Sequence, residues 1–211
     1  MTAEFEYRIA FLVLLAMLIA MRVFFMLRVR RADGKIMPNR EAVEREGGKV
    51  VLVIRTLGFF VLMSFLVMYF IGVSWIDTFL FGLPGWLRWV GFALGLVSIL
   101  FWAWTQVILD TQWSAQLQLT KDHHLITTGP YTTIRHPLYS AMLVWCIALS
   151  LLTANWIFVA ITLLSITGLL YRVPKEEQMM IESFGEEYKI YIQRTGRFFP
   201  KLLKGEKNDH S

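Results

Sequence analysis

Two polar stretches stand on either side of a long apolar block in the C-terminal half of the sequence. The first is KDHHLITTGPYTTIRHPLY, residues 121–139, and the second is RVPKEE, residues 172–177. Ionisable side chains at the edge of an apolar segment are costly to place and mark candidate functional sites. Arginine and histidine beside the free N–H groups of a helix start suit a carboxylate or a phosphate. Arginine and glutamate that face each other at the same opening suit a zwitterion.

Other polar side chains near these stretches leave alternatives open. The three histidines at 123, 124 and 136 lack a cysteine and match no familiar zinc spacing, so we expect no metal site. One helical face carries Gln106, Asp110, Trp113 and Gln116, which either line a polar cleft or hold helices together. The single cysteine, Cys146, lies in an apolar run and is expected to be a small buried residue.

The apolar segments that must position these groups are long enough to cross a bilayer. A spanning helix needs about 20 apolar residues. Residues 9–27, 50–73 and 87–109 meet this length. Residues 138–171 are too many for one span and are interrupted at TANW, residues 153–156, which predicts a tight helical hairpin. The prediction is an all-α polytopic membrane protein with about five transmembrane helices.

The positions of lysine and arginine predict the orientation of these spans. The loop after the first span carries seven basic residues, whereas residues 74–86 carry none. Positive loops stay in the cytoplasm, so the N-terminus is expected outside and the two polar stretches on the cytoplasmic side. The acidic start MTAEFEYRIA does not resemble a signal peptide and predicts a retained first helix.

The C-terminal tail is predicted to be amphipathic and helical. A helix is expected from Lys175 to about Phe184, a break at Gly185, and a short helix from Glu186 to about Arg194. The whole chain, 1–211, is then one membrane domain. Residues 1–110 hold three spans, and residues 111–211 hold the polar loop, the hairpin and the tail.

The net charge of +5 could suggest nucleic-acid binding, but the basic residues cluster beside hydrophobic blocks. Membrane topology explains that clustering better than a nucleic-acid surface does. A chain that is 56% apolar, with a mean hydropathy of +0.52, also differs from an ordinary soluble domain.

Four motifs in the last hundred residues, HHLITTGPY, RHPLY, RVPKEE and FGEEY, resemble the isoprenylcysteine carboxyl methyltransferase family in order and spacing. The resemblance implies a bound S-adenosylmethionine, released as S-adenosylhomocysteine, and methyl transfer to the carboxylate of a prenylated cysteine or another amphiphile. One departure is Ala141, where the family motif often has glycine.

The resemblance also implies roles for individual residues. The cofactor-binding candidates are Gln116, His123, His124, Leu125, Ile126, Tyr131, His136, Tyr139 and Glu176. The catalytic candidates are Arg172, Arg135 and Glu176, with Arg172 near the substrate.

Three other functions remain open at this point. A methyltransferase with the same fold could act on a phospholipid amine or another small amphiphile, and an amine acceptor would need a base, either His136 or a neighbouring glutamate. A membrane reductase with a nicotinamide cofactor is a second enzymatic alternative. A non-enzymatic scaffold would bind anionic lipid through its basic loop.

Overall fold

The computed structural model describes residues 2–31, 44, 48–109 and 125–201. Within these residues the regular secondary structure is helical, and β-pairing is limited to two isolated bridges. The helices are α1 (Thr2–Arg31), α2 (Gly48–Ile71), the single-turn α3 (Ser74–Asp77), α4 (Gly85–Leu109), α5 (Pro137–Thr153), α6 (Trp156–Phe184) and α7 (Glu186–Arg194), with a 3₁₀ turn at Gly129–Thr132.

Contacts between side chains fix the directions of the helices. Arg88 Nε on α4 donates to the carbonyl of Leu152 near the end of α5 (2.9 Å), and Ser98 Oγ donates to the carbonyl of Ala141 near its start (2.8 Å). The helices α4 and α5 are therefore antiparallel. The helix α1 runs parallel to α4, because Glu4 pairs with Arg88 near the start of both and Arg22 lies over the Trp102 ring further along.

The best-packed part of the core lies at the end of the bundle that holds the hairpin turn. Three rings, Phe11 of α1, Tyr69 of α2 and Phe158 of α6, meet edge to face with centroid separations of 5.0 to 5.7 Å. Edge-to-face pairs of this kind add about 0.5–1.5 kcal/mol beyond burial of their area. These rings join three helices that are distant in sequence.

The hairpin turn is built by Ala154 and Asn155, inside the TANW stretch that the sequence identifies. Ala154 has a left-handed backbone (φ 46°), as is common where a helix ends. Asn155 is buried and makes two bonds: its Oδ1 accepts from the Ile157 N–H (2.9 Å) and its Nδ2 donates to the Ile76 carbonyl (2.9 Å). One side chain thus begins α6 and ties it to α3.

Replacing Asn155 with alanine is expected to lower the free energy of unfolding by about 2 kcal/mol, because the helix loses its N-cap and a buried carbonyl loses its donor. Asn155→Ser keeps a capping oxygen and should recover part of the loss. Denaturant unfolding in mixed micelles measures both variants. Equal losses for alanine and serine would show that the cap contributes nothing.

The structure differs from the sequence prediction at Pro174. We predicted that the second arm of the hairpin would end near Tyr171 and that a separate helix would begin at Lys175, whereas α6 continues unbroken from Trp156 to Phe184 with Pro174 inside it. A proline removes one backbone bond and bends a helix without always ending it. Val173, Glu177 and Met179 are buried beyond the expected break, so packing holds the helix together there.

In the described ranges, three helices are long and apolar enough to cross a membrane: Glu4–Arg31, Gly85–Leu109 and Trp156–Phe184. Two shorter apolar helices, Thr56–Ile71 and Pro137–Thr153, alternate with them. The 17 residues of α5 span about 25 Å at 1.5 Å per residue, close to the hydrocarbon thickness of about 30 Å. The count of five spans stays a prediction.

Candidate active site

The polar stretches singled out in the sequence meet at the end of the bundle opposite the hairpin turn. Helix α5 begins there, with His136 at its N-cap position and Pro137 in its first turn, where the missing N–H costs nothing. The second half of α6 passes beside this start and brings Arg172 to Glu177. We call this end of the bundle the mouth.

Tyr139 joins two of the predicted site residues. Its hydroxyl donates to Glu176 Oε2 (2.7 Å) and accepts from Arg172 Nε (2.9 Å). The first turn of α5 is thereby bonded to two residues of α6 that lie one turn apart. The structure brings these three candidates into one hydrogen-bonded group, which we call the Tyr139 group.

Glu177, the next residue after Glu176, is the centre of a second group. Its side chain is 8% exposed and bonds to Arg135 Nε (3.0 Å), His136 Nε2 (3.3 Å) and Arg197 Nη2 (2.5 Å). Arg135 also donates to the carbonyls of Ile192 (3.1 Å) and Thr195. Adjacent residues on a helix project about 100° apart, so the two glutamates serve different partners.

The two groups touch through aromatic stacking. The His136 ring lies 5.6 Å from the Tyr139 ring, with the planes inclined by 26°. The sequence predicts a catalytic role for Arg135, and the structure places its guanidinium against Glu177 and the backbone carbonyls of Ile192 and Thr195. These contacts hold the Arg135 guanidinium between α6 and α7, and its catalytic role stays a prediction.

The 3₁₀ turn at Gly129–Thr132 closes one side of the mouth. Tyr131 is buried, and its carbonyl accepts from the Tyr191 hydroxyl of α7 (2.7 Å). Burial, reinforced by the negative charge of Glu176, raises the pKa of Tyr131. Burial likewise raises the pKa of Tyr191, although the Arg135 charge opposes it. Both phenols thus stay neutral in the physiological range, and Tyr191 serves as a donor.

Gly129 is required where this turn meets α4. It has φ +57°, and a Cβ there would lie 2.9 Å from Ile108 Cγ1. A side chain would be strained by the backbone and would also clash. The end of α4 is thus fixed against the turn that carries Tyr131.

The remaining cofactor candidates divide into two sets. Leu125 and Ile126 are half-buried and lie just before the 3₁₀ turn. Gln116, His123 and His124 lie outside the residues that the structure describes, as do Asp110 and Trp113. Among the described residues, no group of three or more His, Cys, Asp or Glu side chains is placed to hold a metal ion.

Gln106 on α4 is a buried amide without a hydrogen-bond partner among the described residues. It is 1% exposed, and neither its Nε2 nor its Oε1 bonds to any group in the part of the chain that the structure describes. It lies between Ser98, which contacts the start of α5, and Ile108, which contacts the 3₁₀ turn, and so at the level of the mouth. Leaving such a group unpaired costs about 1–3 kcal/mol, so it suits a polar ligand.

Replacing Gln106 with leucine is expected to stabilise the ligand-free protein by about 1 kcal/mol and to weaken binding of a nucleoside ligand about tenfold. Unfolding in micelles and calorimetry with S-adenosylhomocysteine measure the two effects on the same preparation. Unchanged affinity would exclude Gln106 from the ligand site. The neighbouring Thr105→Val is the control, because the Thr105 hydroxyl bonds its own helix at Phe101 (2.8 Å).

Sequence reasoning missed Glu177 and Arg197 as members of the site. Glu177 ends the RVPKEE stretch without a predicted role of its own, whereas the resemblance assigns a role to its neighbour Glu176. The doubled glutamate was a usable signal, since two carboxylates on different faces of one helix can serve two partners. Arg197 carried no such signal, because its pairing with Glu177 spans 20 residues and a change of chain direction.

Comparisons with known proteins find similarity over the part of the chain that holds Tyr139, Arg172 and Glu176. Residues 89–182 match the model of the isoprenylcysteine carboxyl methyltransferase family. A probable protein-S-isoprenylcysteine O-methyltransferase of Oryza sativa subsp. indica is 37% identical over 79 residues, which cover 37% of this chain and 41% of that protein. A nickel-cobalt-cadmium resistance protein, NccN, of Alcaligenes xylosoxydans xylosoxydans is 31% identical over 115 residues, 54% of this chain and 53% of that protein.

The fold has a solved counterpart. The eukaryotic intramembrane Ras methyltransferase of this family aligns with a TM-score of 0.51 and 27% identity, over 55% of this chain and 42% of that one. The chain spans about half the length, or less, of the relatives that it matches. The three apolar helices and this neighbour together indicate an integral membrane protein.

Proposed function

Because residues 89–182 match the model of the isoprenylcysteine carboxyl methyltransferase family, we propose that this chain is a membrane-embedded methyltransferase that uses S-adenosylmethionine. The acceptor is the carboxylate of a prenylated cysteine or a similar amphiphile. The observation that carries the proposal is the Tyr139 group, in which a carboxylate and a guanidinium share one phenol hydroxyl. This arrangement offers an anion to the cofactor and a cation to the acceptor at one opening.

The residues present at the mouth fit the cofactor. Glu176 can accept from hydroxyl or amino groups, Tyr131 and Tyr139 offer aromatic faces to a sulfonium, and Leu125 and Ile126 offer apolar surface. The Gln106 amide, which has no partner in the part of the chain that the structure describes, can donate and accept at the same time, as the edge of an adenine requires. When bound, S-adenosylmethionine supplies an electrophilic methyl group on a positively charged sulfur.

The chain's own contribution is to desolvate and align. A sulfonium and a carboxylate lose their charges as the methyl group moves, so water that solvates both reactants slows the reaction. The mouth lies at the end of apolar helices, and the Arg172 guanidinium can orient the carboxylate in line. An ionised carboxylate needs no general base, so the proposed mechanism requires no catalytic triad.

We place the mouth on the cytoplasmic side, with the N-terminus outside, from the distribution of basic residues in the sequence. The helix directions support one mouth for all the groups named, because α4 ends, α5 begins and α6 passes at that end. A lipidated acceptor would then reach the site partly through the inner leaflet.

The test is calorimetry of the full chain in detergent and in lipid, with S-adenosylhomocysteine as ligand, followed by methyl transfer to an S-prenylated cysteine. The methyl ester of the same compound is the control, since its carboxylate is blocked. We expect micromolar binding, about −8 kcal/mol, and transfer to the free acid alone. Absence of binding in both environments would overturn the proposal.

The pH dependence separates this acceptor from a phospholipid amine. A carboxylate with a pKa of about 3.5 is ionised throughout the neutral range, so the rate should be flat between about pH 6.5 and 8. An amine acceptor must lose a proton, and its rate would rise with pH through the titration of a base. A rising profile would therefore favour the amine.

A further inference from the structure

The chain after α7 turns back and binds the residues that precede α5. Residues 195–198, which we call the C-terminal strap, run beside residues 133–136. The Gly196 carbonyl accepts from the Arg135 N–H (2.8 Å), the Arg197 carbonyl accepts from the His136 N–H (3.0 Å), and the Gly196 N–H donates to the Thr133 carbonyl (2.9 Å). The strap therefore takes up the backbone donors just before the helix start.

Side chains extend this contact into α5 and α6. Ser140 Oγ of α5 donates to the Phe198 carbonyl (2.6 Å). Arg197 of the strap is bonded to Glu177 through Nη2 (2.5 Å) and Nε (3.3 Å), with its own side chain 45% exposed. The strap thus adds a second guanidinium to a buried carboxylate that Arg135 already binds.

The strap also encloses His136. The His136 ring has the Tyr139 ring on one side, at 5.6 Å, and the Phe198 ring at 6.2 Å. Glu177 fixes the same imidazole through Nε2 (3.3 Å). His136 is therefore held by the strap and, in turn, supports the ring of Tyr139.

The backbone of the strap has a strict requirement. A Cβ at Gly196 would lie 1.7 Å from the Phe199 carbonyl oxygen, so only glycine allows the chain to turn there. The strap lies beyond residues 89–182, the part of the chain that the family model matches. The match therefore assigns no role to these residues.

We propose that the C-terminal strap is a positioning element for the methyltransferase site and that Arg197 is its principal positioning residue. Arg197 holds Glu177, Glu177 and Phe198 hold His136, and the His136 ring sets the position of Tyr139. The Tyr139 hydroxyl then presents Glu176 and Arg172 to their ligands. This inference rests on the proposed function for the identity of those ligands, while the mechanical link from strap to Tyr139 stands on the contacts alone.

The test compares three variants of the full chain in micelles: Arg197→Ala, Arg197→Lys and Arg194→Ala. Arg194, three residues earlier and exposed at the end of α7, is the matched control for loss of an arginine near the tail. Amide hydrogen exchange of the peptide covering residues 133–140, without ligand, reports the strap directly. Calorimetry with S-adenosylhomocysteine reports the site.

For Arg197→Ala we expect about tenfold faster exchange in that peptide and about tenfold weaker affinity, with exchange in α1 and α4 unchanged. Arg197→Lys should recover most of both effects, and Arg194→Ala should change neither. Results for Arg197→Ala that equal those for Arg194→Ala would overturn the inference, as would faster exchange spread evenly over the chain. If the unmodified protein binds no S-adenosylhomocysteine, the proposed function fails, and the exchange data still decide whether the strap holds the mouth.

Discussion

Replacing Glu177 with alanine is expected to lower the free energy of unfolding by about 3–5 kcal/mol, the cost of removing one partner from a buried ionic group. Two arginines and a histidine lose a shared acceptor in this variant. The Arg135 side chain is 9% exposed, so it cannot exchange its partner for water without opening the mouth. The loss should include the contacts between α7, the strap and the start of α5.

The measurement is denaturant unfolding in mixed micelles, with Gln178→Ala as the control. Gln178 is the next residue, and its Nε2 donates to Glu182 Oε1 (3.1 Å) on the exposed face of the helix. Its replacement should change stability by less than about 0.5 kcal/mol. A loss below about 1 kcal/mol for Glu177→Ala would contradict the view that this carboxylate organises the mouth.

Replacing Glu176 with alanine is expected to have the opposite profile. Affinity for S-adenosylhomocysteine should fall roughly 10- to 150-fold, the equivalent of a lost hydrogen bond to a charged group, about 1.5–3 kcal/mol. The folding cost should be small, because the carboxylate is only half-buried and its described contact is one bond from the Tyr139 hydroxyl. Calorimetry in the same micelles gives the affinity.

Glu182→Ala is the matched control for this variant, since it removes an exposed carboxylate from the same helix. Normal affinity in Glu176→Ala would show that the cofactor lies elsewhere, and the placement of the site around the Tyr139 group would be wrong. A Glu176→Ala variant that neither binds the ligand nor folds would show that Glu176 stabilises the mouth, as Glu177 does, and is not only a ligand contact.

The two glutamates therefore make a sharp comparison within one helical turn. The same substitution at adjacent positions is expected to remove mainly stability in one case and mainly affinity in the other. The two side chains leave the helix in different directions. Glu177 faces Arg135 and the strap, whereas Glu176 faces the Tyr139 hydroxyl. A joint loss of both properties in both variants would mean that the mouth acts as a single cooperative unit.

The family resemblance, drawn from four short motifs, is confirmed by the comparisons. The site residues were carried over from those motifs and stay predictions. The structure adds that Tyr139, Arg172 and Glu176 are bonded to one another, which motif order alone does not establish.

Local sequence was sufficient for the elements whose signals are local. Runs of apolar residues determined the long helices, the polar interruption around Asn155 determined the hairpin turn, and Gly185, with φ +56°, ends α6 where the sequence predicts a break. Each of these depends on the length of a hydrophobic run or on the conformational freedom of one residue. Such properties are visible in a window of a few residues.

Tertiary structure alone decided the continuation of α6 through Pro174, the division of labour between Glu176 and Glu177, and the capture of Glu177 by Arg197. These outcomes depend on pairs 20 or more residues apart and on which face of a helix packs inward. A charged side chain carries no local mark of its partner, because the Coulomb energy that selects the partner depends on distance and burial after folding. The sequence therefore supplied the charged groups and the helices, and packing determined which charges meet.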